Sequence, residues 1–264
     1  MSPFGQALSI FKDKAVAAVI LCTFERFIKE INLYPSPSDT AIFLFSRSAT
    51  RDSMSKPLVQ KHQSAQRGVA QQLIRQALRV AKSSGFPVFH LTEHQQRGHD
   101  FGTRFAHAFE QLFALGFQQV ISIGNDCPEL ATSDLTKAAQ QLAHTPFVFG
   151  PSTDGGAYLV GIRRDAYVRE AFLAVPWQTP GTLQALTVQS AGQFSLLSEK
   201  ADIDTPADLQ RLLRVGRIYI LLKIRLLQYL QEILHALIVW HEAMPQRYAL
   251  RSRPLRGPPW APAR

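Results

Sequence analysis

The sequence predicts an α/β fold built on a mostly parallel sheet. Three observations carry that expectation. Short apolar runs alternate with longer amphipathic stretches between residues 41 and 150, the pattern of strands joined by crossover helices. The runs are apolar throughout rather than every second residue, as expected of strands covered on both faces. Gly85 and Gly116 each close a helical stretch, where a left-handed residue ends a helix.

The elements follow in order. Residues 4–33 place Phe11, Ala15, Val19, Phe24, Phe27 and Ile31 near one stripe and read as an amphipathic helix. No small-residue cleavage site follows the apolar run 15–24, which is also short for a membrane span, so export is not expected. "YPSPSD" (34–39) is a Pro-punctuated linker. Residues 41–46 form the first strand. Then come a helix over 66–85, the strand "PVFHL" (87–91), a helix over 101–116, the strand "QQVISIG" (118–124), a helix over 133–144 and the strand "PFVFG" (146–150). Phe147 to Ile162 reads as strand, Gly-rich bend and strand. Thr179-Pro180 and Thr205-Pro206 each open a helix, the second with Asp208 in its first turn.

Residues 216–243 read as one long helix, too broken by Lys223, Arg225, Gln228, Glu232 and His235 to span lipid. Its apolar girth and basic flanks leave three readings: packing on the domain or a twin subunit, lying on a membrane surface, or meeting an acidic partner. The basic residues are not interleaved with aromatics, so nucleic acid is not expected. The end, "RSRPLRGPPWAPAR", lacks the apolar content to fold. Three segments result: a helical extension and linker (1–39), an α/β domain (40–213), and a basic helix with its tail (214–264).

Composition sets the outer bounds. The chain has 264 residues, 46% hydrophobic and 19% charged, enough for one ordinary domain with appendages. Of the net charge of +9, residues 211–264 hold +8, ten Lys/Arg against Glu232 and Glu242. The high isoelectric point therefore describes the C-terminal segment, not a site in the α/β domain. Two cysteines, Cys22 and Cys127, give no disulfide framework and fit a reducing cytoplasm. Cys127 reads as a small buried residue of a tight loop, and His90 as a satisfied core histidine.

The chemistry concentrates on carboxylates. Gly124-Asn125-Asp126 follows an apolar strand, so Asp126 sits where open α/β sheets bind ligands. It either caps the next helix or holds a divalent cation against phosphate oxygens. Asp202 and Asp204 precede the Thr205-Pro206 helix start, which does not need them; a cation or donors between them would relieve their repulsion. Asp154 lies beside Gly155 and Gly156, which permit close approach of a ligand. Arg47, Arg51 and Lys56 follow the first strand and can neutralise phosphate. Trp177 and Tyr158 are each either core anchors or walls of a ligand pocket.

In sequence order, "QRGHDFGTRF", "IGNDCPEL", "GPSTDGGAYLVGI", "VPWQT" and "DIDTPADL" resemble the bacterial rSAM/selenodomain-associated transferases. These are glycosyltransferase-like proteins with the nucleotide-diphospho-sugar transferase (GT-A) fold. The resemblance covers roughly Thr40 to Leu213. It implies a three-layer α/β/α sandwich and sugar transfer from a nucleotide-diphospho-sugar to an acceptor, with Mg²⁺ or Mn²⁺ bridging the diphosphate. Asp126, Asp202 and Asp204 are then the metal ligands. Asp154 and Asp126 are the catalytic residues, Asp154 positioning or deprotonating the acceptor hydroxyl. Gly98, Asp100 and Arg104 join Arg47, Arg51 and Lys56 around the nucleotide, and Gly155, Gly156, Tyr158 and Trp177 meet the acceptor. Asp100 also reads as a helix cap, with Arg104 as its intrahelical partner. One departure stands out: no glycine lies between Phe45 and Lys56, so a backbone phosphate cradle is not expected there. Nucleotidyl transfer, and a binding protein that kept the fold without catalysis, are the alternatives.

Overall fold

The computed structural model describes residues 39–56, 58–59 and 63–215. The helices expected over 4–33 and 216–243, and the tail, lie outside these residues. Six strands form one sheet: β1 (Thr40–Phe45), β2 (Val88–Leu91), β3 (Gln119–Ile123), β4 (Phe147–Pro151), β5 (Ala157–Arg163) and β6 (Phe194–Leu196). Their spatial order is β2-β1-β3-β5-β4-β6. β1 runs parallel to β2 and β3, and β4 parallel to β6, while β5 is antiparallel to both its neighbours. Five of the six strands therefore point one way.

Seven α-helices accompany this sheet among the described residues: α1 (Ala49–Ser55), α2 (Gln63–Ser83), α3 (Phe101–Ala114), α4 (Thr132–Leu142), α5 (Arg169–Leu173), α6 (Thr182–Gln189) and α7 (Pro206–Val215). β1 shows why two covering layers are required. Ala41 and Phe43 face one cluster with Phe105, Phe109 and Phe172, while Ile42 and Leu44 face another with Ala77, Leu135 and Ala138. Strand geometry sends successive side chains to opposite faces. An unbroken apolar run thus needs α3, α5 and α6 on one side and α2 and α4 on the other, which makes the three-layer sandwich. A third, smaller cluster joins Val69 and Leu73 of α2 to Ile203 and to Leu209 of α7.

Several boundaries differ from the sequence reading. α2 begins at Gln63, three residues early. α6 begins at Thr182, not at Thr179-Pro180, because Thr179 Oγ1 donates to the Pro176 carbonyl at 2.7 Å and so holds residues 176–181 as a separate turn. The segment after β1 forms a helix, α1, which the sequence reading did not assign. Ser48 caps it by accepting from Arg51 N at 3.4 Å, and Ser48's own amide donates to Glu93 at 2.6 Å. A capped turn with a distant carboxylate behind it forms without glycine. β6 and α5 were not foreseen; both are short. No described helix is long and apolar enough to cross a membrane.

From β1 the chain moves outward to β2, then returns to place β3 on the other side of β1. The strand order reverses between β1 and β3, and open α/β sheets open a crevice at such a point.

Candidate active site

Asp126 lies three residues past the end of β3, on the carboxyl side of that crevice. Gly124 permits its conformation, since a Cβ there would come within 2.4 Å of Asp126 Oδ1. Asp126 does not cap α4: the free amide of Ala131 at that helix start donates to Asp134 at 2.8 Å. From the other end of the domain, the segment after β6 runs beside β4, with Lys200 N donating to Pro151 O at 3.0 Å, and then meets the Asp126 loop, with Ile203 N donating to Asp126 O at 2.8 Å. This backbone contact carries Asp202 and Asp204 to Asp126.

The ion between them belongs to the chain itself. Lys56, at the C-terminal cap of α1, sets its Nζ 2.8 Å from Asp126 Oδ2 and 2.6 Å from Asp204 Oδ1. Burial opposes its charge, but the Asp126 and Asp204 carboxylates prevail and hold it protonated well above the ordinary lysine range. Asp202 is the more deeply enclosed acid. Burial, and then the Asp126 charge, push its pKa up to about 7. Asp202 Oδ1 is buried without a hydrogen-bond donor.

Among the described residues no three acidic, His or Cys side chains form a ready-made metal cage. The donor set nonetheless fits a divalent cation that also takes phosphate oxygens. Magnesium needs only one or two carboxylates when phosphates supply the rest, and here two carboxylates already share one positive charge while a third has a bare buried oxygen.

Two arms of a cleft meet at this centre, each of about 390 Å³. They share Phe45, Lys56, Phe101, Asn125, Asp126 and Gln178. Arg47 and Arg104 line the second arm together with Gln96, whose Nε2 donates to the carbonyls of Ser46 and Leu91, both at 2.9 Å. The first arm is lined by Asp154, Asp202 and Asp204 and also by Phe105 and Trp177. Asp154 is exposed at the β4–β5 bend, with Oδ1 accepting from Gly156 N at 2.9 Å. Gly155, at φ +89°, brings that bend against Pro180; a Cβ there would come within 2.2 Å of the Pro180 carbonyl.

The remaining expected residues are placed less centrally. Arg51 is exposed on α1 and lines neither arm. Asp100 caps α3, accepting from Thr103 N at 2.7 Å, and Gly98 gives room to Thr103 and Arg104, whose atoms would meet a Cβ at 2.8 Å. Both have structural work there and lie outside the arms. Arg104 donates to the His99 carbonyl at 3.4 Å and faces the second arm. Tyr158 borders the cleft, but its hydroxyl donates into the interior, to Ser198 O at 3.0 Å. Cys127 is buried and its thiol is pushed far up by burial. His90 is satisfied by Ser46 Oγ at 2.9 Å.

Sequence reasoning missed Asp52. It is buried on α1 and accepts from Asn125 Nδ2 at 3.1 Å. Burial raises its pKa, and that hydrogen bond partly offsets the rise. The pair ties α1, and with it Lys56, to the Asp126 loop. An acid at a buried position of a short helix shows no pattern until its partner, 73 residues away, is placed beside it.

This sheet and its crevice define a nucleotide-diphospho-sugar transferase-like (GT-A-like) fold. A structure of a nucleotide-diphospho-sugar transferase assigned by inference, from Desulfovibrio desulfuricans G20, superposes with a TM-score of 0.61 at 21% identity, covering 68% of this chain and 88% of that one. CMP:2-keto-3-deoxy-manno-octonic acid synthetase complexed with CTP superposes with a TM-score of 0.39 at 16% identity, over 66% of this chain and 97% of that one. Residues 58–179 match the family described as "Uncharacterized protein conserved in bacteria (DUF2064)". No curated protein sequence matches the chain.

Proposed function

We propose that the chain is a transferase acting on a nucleotide-diphospho-sugar, of the kind represented by the bacterial rSAM/selenodomain-associated transferases, working in the cytoplasm. The observation that carries this reading is the meeting of Asp126, Asp204 and Lys56 in one cleft at the strand-order reversal.

Asp126 and Asp204, with Asp202 in support, would hold Mg²⁺ or Mn²⁺, which when bound would neutralise charge on the diphosphate leaving group. Lys56, freed from the carboxylates, would turn to a phosphate oxygen, joined by Arg47 and Arg104 from the second arm. Asp154 would take the proton of the acceptor hydroxyl as its oxygen bonds to the anomeric carbon and the bond from that carbon to the diphosphate oxygen breaks. The Gly155-Gly156 bend would let the acceptor reach that carboxylate.

Nucleotidyl transfer is the second reading. Three cations, Arg47, Lys56 and Arg104, around one arm suit a triphosphate as well as a diphosphate. Thermal stability with Mn²⁺ and each of UDP, GDP, CDP and ADP tests the proposal. A metal-dependent rise with one nucleotide, abolished in Asp126→Ala and Asp204→Ala, is expected; no rise with any of them overturns it. Release of pyrophosphate from a nucleoside triphosphate would move the assignment to nucleotidyl transfer.

A further inference from the structure

The two arms of the cleft differ in chemistry. Arg47 and Arg104 make the second arm cationic. In the first, Lys56 is the one Lys or Arg among the described lining residues, and it is already held by two carboxylates, while Asp126, Asp154, Asp202 and Asp204 all border the space. An anion entering this arm meets uncompensated carboxylates and no free cation.

The same arm is also lined by aromatic rings. Phe45, Phe101, Phe105 and Trp177 brace one another: Phe45 and Phe101 meet edge to face at 5.6 Å, Phe105 and Trp177 at 5.0 Å. Trp177 Nε1 donates to the Phe172 carbonyl at 2.9 Å, so the indole's polar edge is spent inside the protein and carbon is left for the cleft. The hydroxyls of the adjoining turn are spent as well. Thr179 Oγ1 and Thr182 Oγ1 donate to the Pro176 carbonyl at 2.7 and 2.8 Å.

Gln178 differs from these neighbours. It borders both arms, is exposed, and holds a left-handed backbone at φ 61°. Such a conformation is costly for a residue with a Cβ and collects at binding sites. Its amide has no hydrogen-bond partner among the described residues, so donor and acceptor are free at the junction of the arms.

We infer that the acceptor taken in the aromatic arm is a hydroxy compound without negative charge, one face of which is an apolar ring, with its polar substituent read by the Gln178 amide. This deepens the transferase reading and rests on it for the word acceptor. The ring would lie on Trp177 and Phe101 and turn its hydroxyl toward Asp154.

Direct titration of the full chain with small probes tests the assignment. Tyramine and 4-hydroxybenzyl alcohol are expected to bind, and 4-hydroxybenzoate about tenfold more weakly, the price of one uncompensated charge pair. Glycerol, neutral but without a ring, is expected to show no binding. Asp154→Asn should narrow the discrimination against 4-hydroxybenzoate, and Trp177→Ala should weaken the ring probes about tenfold. Gln178→Gly keeps the test independent of folding failure: it relieves the left-handed backbone, so the melting temperature should hold or rise while ring-probe affinity falls about fivefold. Equal or tighter binding of 4-hydroxybenzoate overturns the inference, as does a Gln178→Gly variant that binds the probes unchanged. A nucleotide and Mn²⁺ shift with no ring-probe binding sinks this inference and leaves the transferase reading standing; ring-probe binding without any nucleotide shift does the reverse.

Discussion

The ammonium of Lys56 sits 2.8 Å from the carboxylate of Asp126, a residue 70 positions further along the chain, and 2.6 Å from that of Asp204. A side chain thus stands where a divalent cation is proposed to act, and the two should compete. Replacing Lys56 by Met removes the competitor while keeping the length of the side chain. Mn²⁺ binding in the absence of nucleotide, followed by isothermal titration, is expected to tighten about fivefold or more. The three groups are 27%, 31% and 46% exposed, so solvent screens the pair and stability should change by no more than about 1 kcal/mol. Weaker Mn²⁺ binding in the variant would show that Lys56 supports the cation rather than standing in for it.

The pH dependence of stability contains two opposed trends. Asp202 is raised from 3.8 to about 7, so the native state keeps a proton that the unfolded chain releases. Its contribution is present at low pH and is lost as pH climbs from about 4 to about 7. His90 and His107 are lowered from 6.5, chiefly by burial. Their neutral forms favour the native state above that value, and the contribution is lost as pH falls below it. Asp202→Asn removes the first trend only. Urea denaturation should show the variant more stable than wild type by about 1–3 kcal/mol at pH 8, with a steeper rise from pH 5.5 to 7.5. A wild-type curve that already rises as steeply would contradict the burial of a protonated Asp202.

Cys127 should be silent toward thiol reagents in the native protein. It is 4% exposed, and its thiol is held far from ionisation by burial first and by Asp202 and Asp126 next. In a Cys22→Ser background, a chromogenic disulfide reagent is expected to label no thiol until denaturant is added. Labelling at native rates comparable to a free peptide thiol would place Cys127 at the surface.

Gly85 and Gly155 separate two costs of adding a methyl group. Both have positive φ, at +80° and +89°, but nothing lies within 4 Å of a Cβ on Gly85. Gly85→Ala should cost about 1 kcal/mol from backbone strain alone. Gly155→Ala adds a collision with Pro180 at 2.2 Å, and should cost about 2–3 kcal/mol. Because the bend abuts the turn beside Trp177, the second variant should also lose ring-probe affinity. Equal melting temperatures for the two variants would be inconsistent with the docked bend.

The Asp52–Asn125 hydrogen bond should matter beyond its own strength. Asp52→Ala leaves a buried amide unpaired, at about 1–3 kcal/mol, and frees α1 from the Asp126 loop. Nucleotide affinity is expected to fall in this variant and to recover in Asp52→Asn, which keeps the shape and a hydrogen-bonding oxygen. Equal affinities in the two would assign Asp52 to stability alone.

Several features were legible in the residues themselves. The apolar runs of β1 and β3 named buried strands because their β-branched and aromatic residues leave no wet face. Gly85 and Gly116 marked helix ends because left-handed backbone is easy for glycine alone. Thr205, Pro206 and Asp208 marked the start of α7, and Thr205 Oγ1 does accept from Asp208 N at 3.2 Å. All of these are effects of neighbours within a few positions, which is where a linear pattern holds information.

Other features depended on the folded arrangement. The helix α1 formed after β1 because Glu93, from beyond β2, receives the amide of its capping Ser48. Asp52 acquired its place from Asn125, and Lys56 its place from two carboxylates whose own meeting depends on Ile203 bonding to the Asp126 backbone. By itself the sequence determined the alternation of elements and that Asp202 and Asp204 were not needed to start α7. The tertiary structure decided that those acids converge, that a lysine lies between them, and that one arm of the cleft is cationic and the other acidic and aromatic. Charges separated by dozens of residues interact only when the sheet brings their loops to one edge, because their influence falls off within about 10 Å in salt water.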